Sequence, residues 1–350
     1  MIYDIVLKAI FAGVSVLTEY LSVHVLTCLI PALFIAGAIS VFLKKESVLK
    51  YLGPKTKKYI SYGVASISGA ILTVCSCTIL PLFASIKKKG AGLGPAITFL
   101  FSGPAINITA IIYTAQILGF KIGLTRGILA ISMSIVIGFI MNLIFQKEVV
   151  EKDSTFSDIV SKGGKSKFIT LSFFMLLVSI LIVNGLSLLP LVKYSIFLIL
   201  LVLLIILLKW KFSKEELKNW FSETWNITKL IIPYLLIGVF IAGVIGFLLP
   251  KEIVQNYLGG NSLLSNLVAS VFGAFMYFAT LTEVPIVSEL MKLGMGNGPA
   301  LALLLSGPSL SLPSMLVIRK VLGTKKTISY VSLVIIFSTI AGFIYGMFVR

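Results

Sequence analysis

The sequence is poor in charged residues and in the residue type that most often carries acid–base chemistry. Charged residues make up 12% of the 350 residues and histidine occurs once, whereas soluble domains have about 25% charged residues. Hydrophobic residues make up 58%, which is more than one soluble core can bury, so the excess would face water. These proportions exclude an ordinary soluble enzyme and indicate that lipid is the solvent.

Cysteine is scarce, and neither glycine nor proline is enriched. Three cysteines cannot build a disulfide framework, and 29 glycines with 12 prolines are too few for a collagen-like or low-complexity chain. The segment Gly164-Lys165-Ser166 lacks the first glycine of a phosphate-binding loop, because Ile159 stands there. No Ser-His-Asp arrangement is evident in the sequence. We therefore expect a protein that is not an enzyme and that holds no cofactor.

Acidic residues are outnumbered, with 13 Asp and Glu against 30 Lys and Arg and a formal net charge of +17. The lysines cluster in short loops between long apolar segments, a pattern typical of the cytoplasmic loops of multi-pass membrane proteins. Only Glu19, Glu283 and Glu289 among the acidic residues lie within strongly apolar sequence. We predict a multi-pass protein of the cytoplasmic membrane. Its partners would be the lipid bilayer and a small-molecule or metalloid substrate, not nucleic acid.

Ten apolar segments approach or exceed the length of a spanning helix, which is about 20 residues. The charged stretch 209–229 has apolar residues at helical spacing and predicts an amphipathic helix on the membrane surface. Residues 3–22 form either a second surface helix, which Lys8 and Glu19 favour, or a further span. The ten segments are 25–43, 60–84, 95–118, 123–146, 168–189, 193–208, 230–249, 262–290, 297–318 and 327–348.

Two parts of the chain are copies of each other. Residues 35–53 align without gaps on 241–259 with 11 of 19 identical, and residues 75–109 align on 279–313 with 12 of 35 identical. The identities include glycines and prolines at fixed spacing, which chance similarity between apolar segments does not produce. This predicts four parts: an N-terminal, interfacial helix (1–24), membrane repeat 1 (25–146), a linking helix pair with a cytoplasmic loop and the amphipathic helix (147–229), and membrane repeat 2 (230–350).

The loop lysines predict that the two repeats are inverted in the membrane. If all ten segments crossed the bilayer, Lys and Arg would divide 14 to one side and 16 to the other. If 60–86 and 262–290 instead enter and return on the same side, 23 cations share one face and 7 the other, as the positive-inside rule requires. We predict an all-α polytopic membrane protein of eight crossings and two re-entrant hairpins.

A Ser-Gly-Pro triplet occurs at the same place in each repeat and predicts a helix break at membrane depth. Proline removes an amide donor and interrupts a helix, and the free groups at half-helix ends attract ions. The alternative is that glycine and proline only allow close helix packing. The triplets are Ser102-Gly103-Pro104 and Ser306-Gly307-Pro308. The substrate-binding candidates in and beside them are Ser102, Asn107, Ser306, Ser309 and Ser311.

The hairpin tips form a second cluster of candidates, and here the repeats have diverged. Repeat 1 carries Cys75 and Cys77, and thiolates prefer soft metal ions. Repeat 2 carries Glu283, and a carboxylate inside the membrane is costly unless it functions. Glu283 is therefore a candidate proton carrier or cation ligand, and the alternative is a structural hydrogen bond. The positions shared by both tips are Thr78 and Thr282, as substrate contacts, and Pro81 and Pro285, as further helix breaks.

These motifs together resemble the YraQ-type predicted permeases, a family that includes the ArsP organoarsenical-efflux permeases. The resemblance covers about 25–348. It implies efflux of thiophilic species, such as trivalent organoarsenicals, copper or zinc, with two cysteines as thiol ligands. The motifs that carry it are Cys75-Ser76-Cys77, Leu80-Pro81-Leu82, Lys89-Gly90, Ser102-Gly103-Pro104, Leu281-Thr282-Glu283-Val284-Pro285 and Ser306-Gly307-Pro308.

The leading hypothesis is a secondary transporter that exports a small thiophilic metal or metalloid species and confers arsenic or metal resistance. Cys75 and Cys77 would bind the substrate, Glu283 would exchange a proton, and rocking of one repeat against the other would alternate access. Two alternatives stay open. One is a permease for an organic anion or metabolite with structural cysteines, and the other is a membrane thiol oxidoreductase that uses the cysteine pair.

Overall fold

The chain is a bundle of helices. A computed structural model describes residues 2–22, 29–43, 45–54, 56–72, 76–146, 167–185, 190–248, 257–276 and 283–349. Within these ranges there are sixteen helices and no strand. They are α1 (Ile2–Glu19), α2 (Ile30–Phe42), α3 (Lys45–Leu52), α4 (Lys58–Leu72), α5 (Ser76–Lys88), α6 (Leu93–Ala105), α7 (Ile108–Ile117), α8 (Phe120–Ile144), α9 (Lys167–Gly185), α10 (Pro190–Lys211), α11 (Lys214–Leu248), α12 (Leu263–Phe275), α13 (Glu283–Lys292), α14 (Asn297–Ser309), α15 (Leu312–Leu322) and α16 (Thr324–Phe348).

Six spans follow from helix length and composition. Helices α8, α10, α11 and α16 are each long and apolar enough to cross a membrane, and the pairs α6–α7 and α14–α15 are spans bent by 42° and 48°. Helices α2, α9 and α12 are apolar but shorter within the described residues, so the described residues give up to six candidate spans, and the count of eight crossings stays a prediction. The all-α, polytopic membrane fold is confirmed.

The duplication is visible in the helix boundaries. Helices α6, α7 and α8 begin at residues 93, 108 and 120, and α14, α15 and α16 begin at residues 297, 312 and 324, so the offset is 204 in each case. The two tight turns that follow α5 and α13 also match, because Gly90 and Gly294 both have a positive φ, of 93° and 108°. Only glycine adopts that conformation readily, which explains why this residue is retained in both repeats.

Each repeat contains a hairpin that returns to the face from which it starts. The amide of Gly92, after α5, donates to the carbonyl of Leu52, before α4, at 2.8 Å. The amide of Gly296, after α13, donates to the carbonyl of Leu258, before α12, at 3.1 Å. Both ends of each hairpin therefore lie side by side, which confirms the two re-entrant hairpins.

Equivalent helices of the two repeats run in opposite directions. The ammonium group of Lys326, at the start of α16, lies 5.6 Å from the ring centroid of Phe145, at the end of α8. Helices α8 and α16 are counterparts and pack against each other, so the contact of one start with the other end makes them antiparallel. The repeats are inverted.

Lysines from separate parts of the chain lie at one end of the bundle, which we call the lysine-rich face (Lys88, Lys229 and Lys320). Lys88, at the end of α5, forms an ion pair of 2.5 Å with Glu223 of α11, and Ser40 of α2 donates to the same carboxylate at 3.1 Å. An aromatic cluster joins α2, α9 and the start of α11 beside these residues. Its members are Phe42, Phe173, Phe212 and Trp220.

The prediction of a separate surface helix over 209–229 is wrong. Lys209–Lys211 end α10, and residues from Lys214 onward begin α11, which continues unbroken for 35 residues to Leu248. Tertiary packing overrides the amphipathic pattern here. The Trp220 side chain is buried and its indole N–H donates to the carbonyl of Phe34 at 2.9 Å.

Helix α1 packs along the second half of α11, the part that corresponds to α2 in repeat 1. A methyl group added to Gly243 of α11 would lie 3.0 Å from the Cα of Gly13 of α1. Two glycines at this crossing allow the two backbones to approach closely. The interfacial placement of residues 1–24 stays a prediction.

Matched tyrosines give a direct test of the inverted topology. Tyr51 and Tyr257 occupy equivalent positions before the two hairpins, and their side chains are 47% and 52% exposed. In whole cells we expect a Tyr257→Cys variant, in a background without the native cysteines, to react with a membrane-impermeant maleimide. Tyr51→Cys should react only after the cells are permeabilised. Equal reactivity of the two variants in intact cells would contradict the inverted arrangement.

Candidate transport site

Both predicted helix breaks exist, but each lies just after its Ser-Gly-Pro triplet. Helix α6 continues through Pro104 and ends at Ala105, and α14 continues through Pro308 and ends at Ser309. The serine and glycine of each triplet are likewise helical, which corrects the prediction that the triplet itself is the break. One proline near the end of a helix removes one hydrogen bond without ending the helix at that residue.

Polar caps start the second half of each broken span. The Asn107 side chain accepts a hydrogen bond from the amide of Ala110 at 3.2 Å and starts α7. The Ser311 hydroxyl accepts one from the amide of Ser314 at 3.3 Å and starts α15. These side chains occupy half-helix N-termini, where free amides favour negative charge. Asn107 and Ser311 are equivalent by the offset of 204, so the break is a feature of the duplicated unit.

The triplet serines serve close helix packing in this conformation. Ser102 donates to the carbonyl of Phe99 at 3.2 Å, and Ser306 donates to that of Leu303 at 3.3 Å. A methyl group added to Gly273 would lie 2.5 Å from the Ser306 hydroxyl, and Gly69 meets Ser102 in the same way. Ser309, beside the second triplet, donates to a backbone carbonyl of its own helix as well.

The hairpin prolines do not break helices. Helix α5 continues through Pro81, its sixth residue, to Lys88, so the predicted break at Pro81 is wrong. Pro285 is the third residue of α13, where the missing N–H has no helical partner to lose. Pro285 therefore belongs to a helix start and not to a break. Gly103 lets α5 approach α6, since a methyl group there would lie 2.6 Å from Ile79.

The predicted tip residues are described only in part. Cys75 and Thr282 fall outside the described residues, and Cys77 lies in the first turn of α5. Thr78, in the same turn, is buried. Among the residues that the structure describes, no group of three His, Cys, Asp or Glu side chains is placed to hold a metal ion. The ligand role of the two cysteines stays a prediction.

Each hairpin packs against the other repeat. Helix α5 of repeat 1 contacts α15, the half-span after the break of repeat 2, and α13 of repeat 2 contacts α7, the half-span after the break of repeat 1. We call the first contact the thiol junction (α5 with α15) and the second the ion-pair junction (α13 with α7 and α8). The second helix of each hairpin is thus brought against the half-span that follows the break of the other repeat.

A buried ion pair occupies the ion-pair junction. The carboxylate of Glu283, the first residue of α13, accepts a hydrogen bond from the guanidinium of Arg126 of α8, and both side chains are 0% exposed. Arg126 also donates to the Thr114 hydroxyl of α7 at 2.7 Å, and that hydroxyl donates to the carbonyl of Ala110 at 2.7 Å. One polar chain therefore links α13 of repeat 2 to α7 and α8 of repeat 1.

Sequence reasoning missed Arg126. It is one of three arginines in the chain and lies within the apolar segment of α8. A charged residue inside a span predicts a functional group with a partner. The position of Arg126 within an apolar segment is such a signal. A topology count of Lys and Arg does not use it, because the count treats Arg126 as one cation among thirty.

The equivalent positions in the thiol junction are uncharged. By the offset of 204, Tyr330 corresponds to Arg126, and Ile79 corresponds to Glu283. The buried Tyr330 hydroxyl donates to the carbonyl of Ser309 at 3.3 Å, beside the break of repeat 2. The same architecture is therefore built once with an ion pair and once with a tyrosine and an isoleucine.

The triplet serines Ser102 and Ser306 are both buried, with 0% exposure. Two clefts lie elsewhere. One, of about 610 Å³, lies between α11 and α15 and includes Lys229, Tyr234 and Lys320. The other, of about 510 Å³, includes Asn261 and lies where the second hairpin begins and ends.

A duplicated bundle with broken spans and an intramembrane ion pair is typical of membrane transporters. Residues 10–347 match the family ArsP_1, described as "Predicted permease", and the chain belongs to this family. It is therefore a multi-pass protein of the cell membrane, and a permease family fits the absence of enzymatic motifs.

Three relatives were found in the comparison. The UPF0718 protein MJ0584 of Methanocaldococcus jannaschii is 45% identical over 361 aligned positions, which cover 100% of this chain and 99% of the relative. The UPF0718 protein YraQ of Escherichia coli is 22% identical and covers 83% of this chain and 68% of its own. The UPF0718 protein YcgR of Bacillus subtilis is 25% identical over 114 residues, 32% of this chain and 38% of its own. No solved structure matches.

Proposed function

We propose that the protein exports a small thiophilic metal or metalloid species, such as a trivalent organoarsenical, Cu(I) or Zn(II). The observation that carries this proposal is the position of Cys77 in the first turn of α5, the helix that packs on the half-span α15. Cys75 precedes it by two residues. A thiol pair near the start of this helix would offer soft ligands where alternating access needs a substrate site.

The location of the thiol junction supports export. Helix α5 ends at Lys88, which pairs with Glu223 at the lysine-rich face. Helix α15 starts at the break and ends near Lys320, which shares a cleft with Lys229 of α11. Both helices of the thiol junction thus end at the lysine-rich face, which is cytoplasmic by the positive-inside rule. The thiols would be loaded from the cytoplasm.

Glu283 is the proposed proton-exchanging group. It is fully buried in the ion-pair junction, and its Oε2 atom has no hydrogen-bond partner among the described residues. A carboxylate at such a depth is costly and typical of proton relays in transporters. Rocking of one repeat against the other would then alternate access to the thiols.

Efflux in everted membrane vesicles tests the thiol site. We expect wild-type vesicles to accumulate a trivalent methylarsenical, Cu(I) or Zn(II), and the Cys75→Ser/Cys77→Ser variant to lose at least about tenfold of that rate, because a hydroxyl is a poor ligand for soft ions. Cys28→Ser is the matched control and should transport normally, since Cys28 lies in a different apolar segment. Undiminished transport by the double variant would remove the cysteines from the proposal.

The buried Arg126 gives one reason to keep an organic-anion permease as the second candidate. A guanidinium in the interior recognises carboxylates and other planar anions, and in this structure Glu283 occupies it. This function predicts uptake of an organic anion that thiol reagents do not inhibit. The same vesicles, with a radiolabelled carboxylate in place of the metal, distinguish it from the thiol mechanism.

A further inference from the structure

The ion-pair junction does not need charges in order to form. The thiol junction pairs the equivalent hairpin helix and half-span, α5 and α15, and the positions equivalent to Glu283 and Arg126 are Ile79 in α5 and Tyr330 in α16. Both Ile79 and Tyr330 are buried, with 1% and 0% exposure. The chain therefore carries uncharged, buried residues at both equivalent positions, and a structural role alone does not explain why the other repeat interface carries an ion pair.

The pair is also incompletely satisfied. The Nε atom of Arg126 and the Oε2 atom of Glu283 are buried without a hydrogen-bond partner among the described residues. Buried charges are costly unless every polar atom is paired. Replacing a buried ion pair by apolar residues is often neutral or stabilising. An unfavourable arrangement of this kind is expected where it is used in function.

The pair connects the two bodies that must move. Glu283 belongs to the hairpin of repeat 2, and Arg126 to α8 of repeat 1. Of the ion pairs in the described part of the chain, this one has both side chains fully buried, whereas Lys88–Glu223 and Lys292–Glu289 are partly exposed. Any rocking that separates α13 from α7 and α8 must break it.

We propose that the Arg126–Glu283 pair is a latch between the repeats and the coupling site of the transporter, separate from the thiol junction. Arg126 is the coupling residue. When Glu283 is neutralised, the guanidinium is left unpaired in an apolar site and cannot lose its own charge, so α13 separates from α8 and water enters. This inference rests on the proposed function in one respect, namely that the separation belongs to a transport cycle.

The two junctions then act in different halves of the membrane. Helices α7 and α13 of the latch end near Gly119 and Gly294, away from the lysine-rich face, and α5 and α15 of the thiol junction end at it. The latch controls the outer side of the interface and the thiols receive the substrate on the inner side. Replacing both members of the latch by uncharged residues should therefore hold the outer side closed without disturbing the fold, whereas neutralising Glu283 alone should open it.

A cysteine reporter tests the latch without any substrate. Val287 lies one helical turn after Glu283 on the same face of α13 and is buried. Val287→Cys, in a background with Cys28, Cys75 and Cys77 replaced by serine, should react slowly with an external positively charged methanethiosulfonate. Adding Glu283→Gln should raise the rate at least about tenfold, because it leaves Arg126 unpaired. The exchanged pair Arg126→Glu/Glu283→Arg should restore slow labelling.

The thiol junction supplies the matched control. Phe83 is equivalent to Val287 by the offset of 204 and is buried in α5. The labelling rate of Phe83→Cys should not change with Glu283→Gln. If Val287→Cys reacts equally with and without Glu283→Gln, the latch is refuted, whatever the cysteines transport.

A second variant tests the latch if Glu283→Gln fails to fold. It places the uncharged residues of the equivalent positions, Tyr330 and Ile79, at positions 126 and 283. Arg126→Tyr/Glu283→Ile, with the native cysteines present, should elute normally in gel filtration and lose vesicle transport of the trivalent methylarsenical. Wild-type transport by this variant would overturn the coupling role. Failure of the Cys75→Ser/Cys77→Ser test would refute the thiol site only, since the labelling experiment needs neither the cysteines nor a substrate.

Discussion

Of the two single variants of the ion pair, Glu283→Ile and Arg126→Tyr, Glu283→Ile should be the less stable. Removing one member of a buried pair leaves an uncompensated charge and costs about 3–5 kcal/mol. The two members are not equivalent, however. In Arg126→Tyr the orphaned carboxyl of Glu283 takes up a proton and becomes neutral, whereas in Glu283→Ile the guanidinium of Arg126 stays charged. The loss should therefore be larger for Glu283→Ile.

The double variant Arg126→Tyr/Glu283→Ile completes the cycle. It should recover most of the stability, because it leaves no buried charge unpaired and uses the residues found at the equivalent buried positions, Tyr330 and Ile79. The detergent-purified protein is heated, and gel filtration measures how much stays soluble at each temperature. The quantity compared is the midpoint temperature of aggregation. Losses that simply add in the double variant would show that the two residues do not interact and would contradict the buried pair.

The global architecture could be predicted from the sequence because individual glycines, prolines and lysines indicate turns, helix ends and sidedness. Glycine at 90 and 294 marks turns that need a positive φ, and the repeated prolines mark helix ends and bends. The loop lysines indicate sidedness, and the contact between Lys326 and Phe145 agrees with the inversion that they predict. Such signals are local in the chain, so they can be interpreted without knowing which helices pack together.

The details of the site could not be predicted because they depend on contacts between distant residues. Arg126 and Glu283 are separated by 157 positions, and no local pattern indicates their pairing. The position of each break depends on the caps Asn107 and Ser311 as much as on the proline before them. The continuity of α11 likewise follows from the burial of Trp220 against α2, which overrides the amphipathic pattern.

A second large effect is expected where the broken spans cross the last helix of each repeat. The carbonyl of Gly298 in α14 would lie 2.6 Å from a methyl group on Gly342 of α16, and in repeat 1 the carbonyl of Gly94 would lie 2.7 Å from a methyl group on Gly138. Backbone atoms cannot rotate away as the end of a side chain can. The two helices must therefore separate in Gly342→Ala or Gly138→Ala.

Gly63→Ala separates this clash from the intrinsic preference of a helix for alanine. Gly63 lies inside α4 and a methyl group there would meet nothing within 4 Å, so alanine should stabilise the helix by about 0.5–1 kcal/mol. Gly342→Ala and Gly138→Ala carry the same gain but should be net destabilising, since forcing extra volume into a packed interface costs about 1–3 kcal/mol. Opposite shifts of the thermal midpoint are expected for Gly63→Ala and for the two crossing variants. A higher thermal midpoint for all three variants would mean that neither α14 with α16 nor α6 with α8 is in backbone contact.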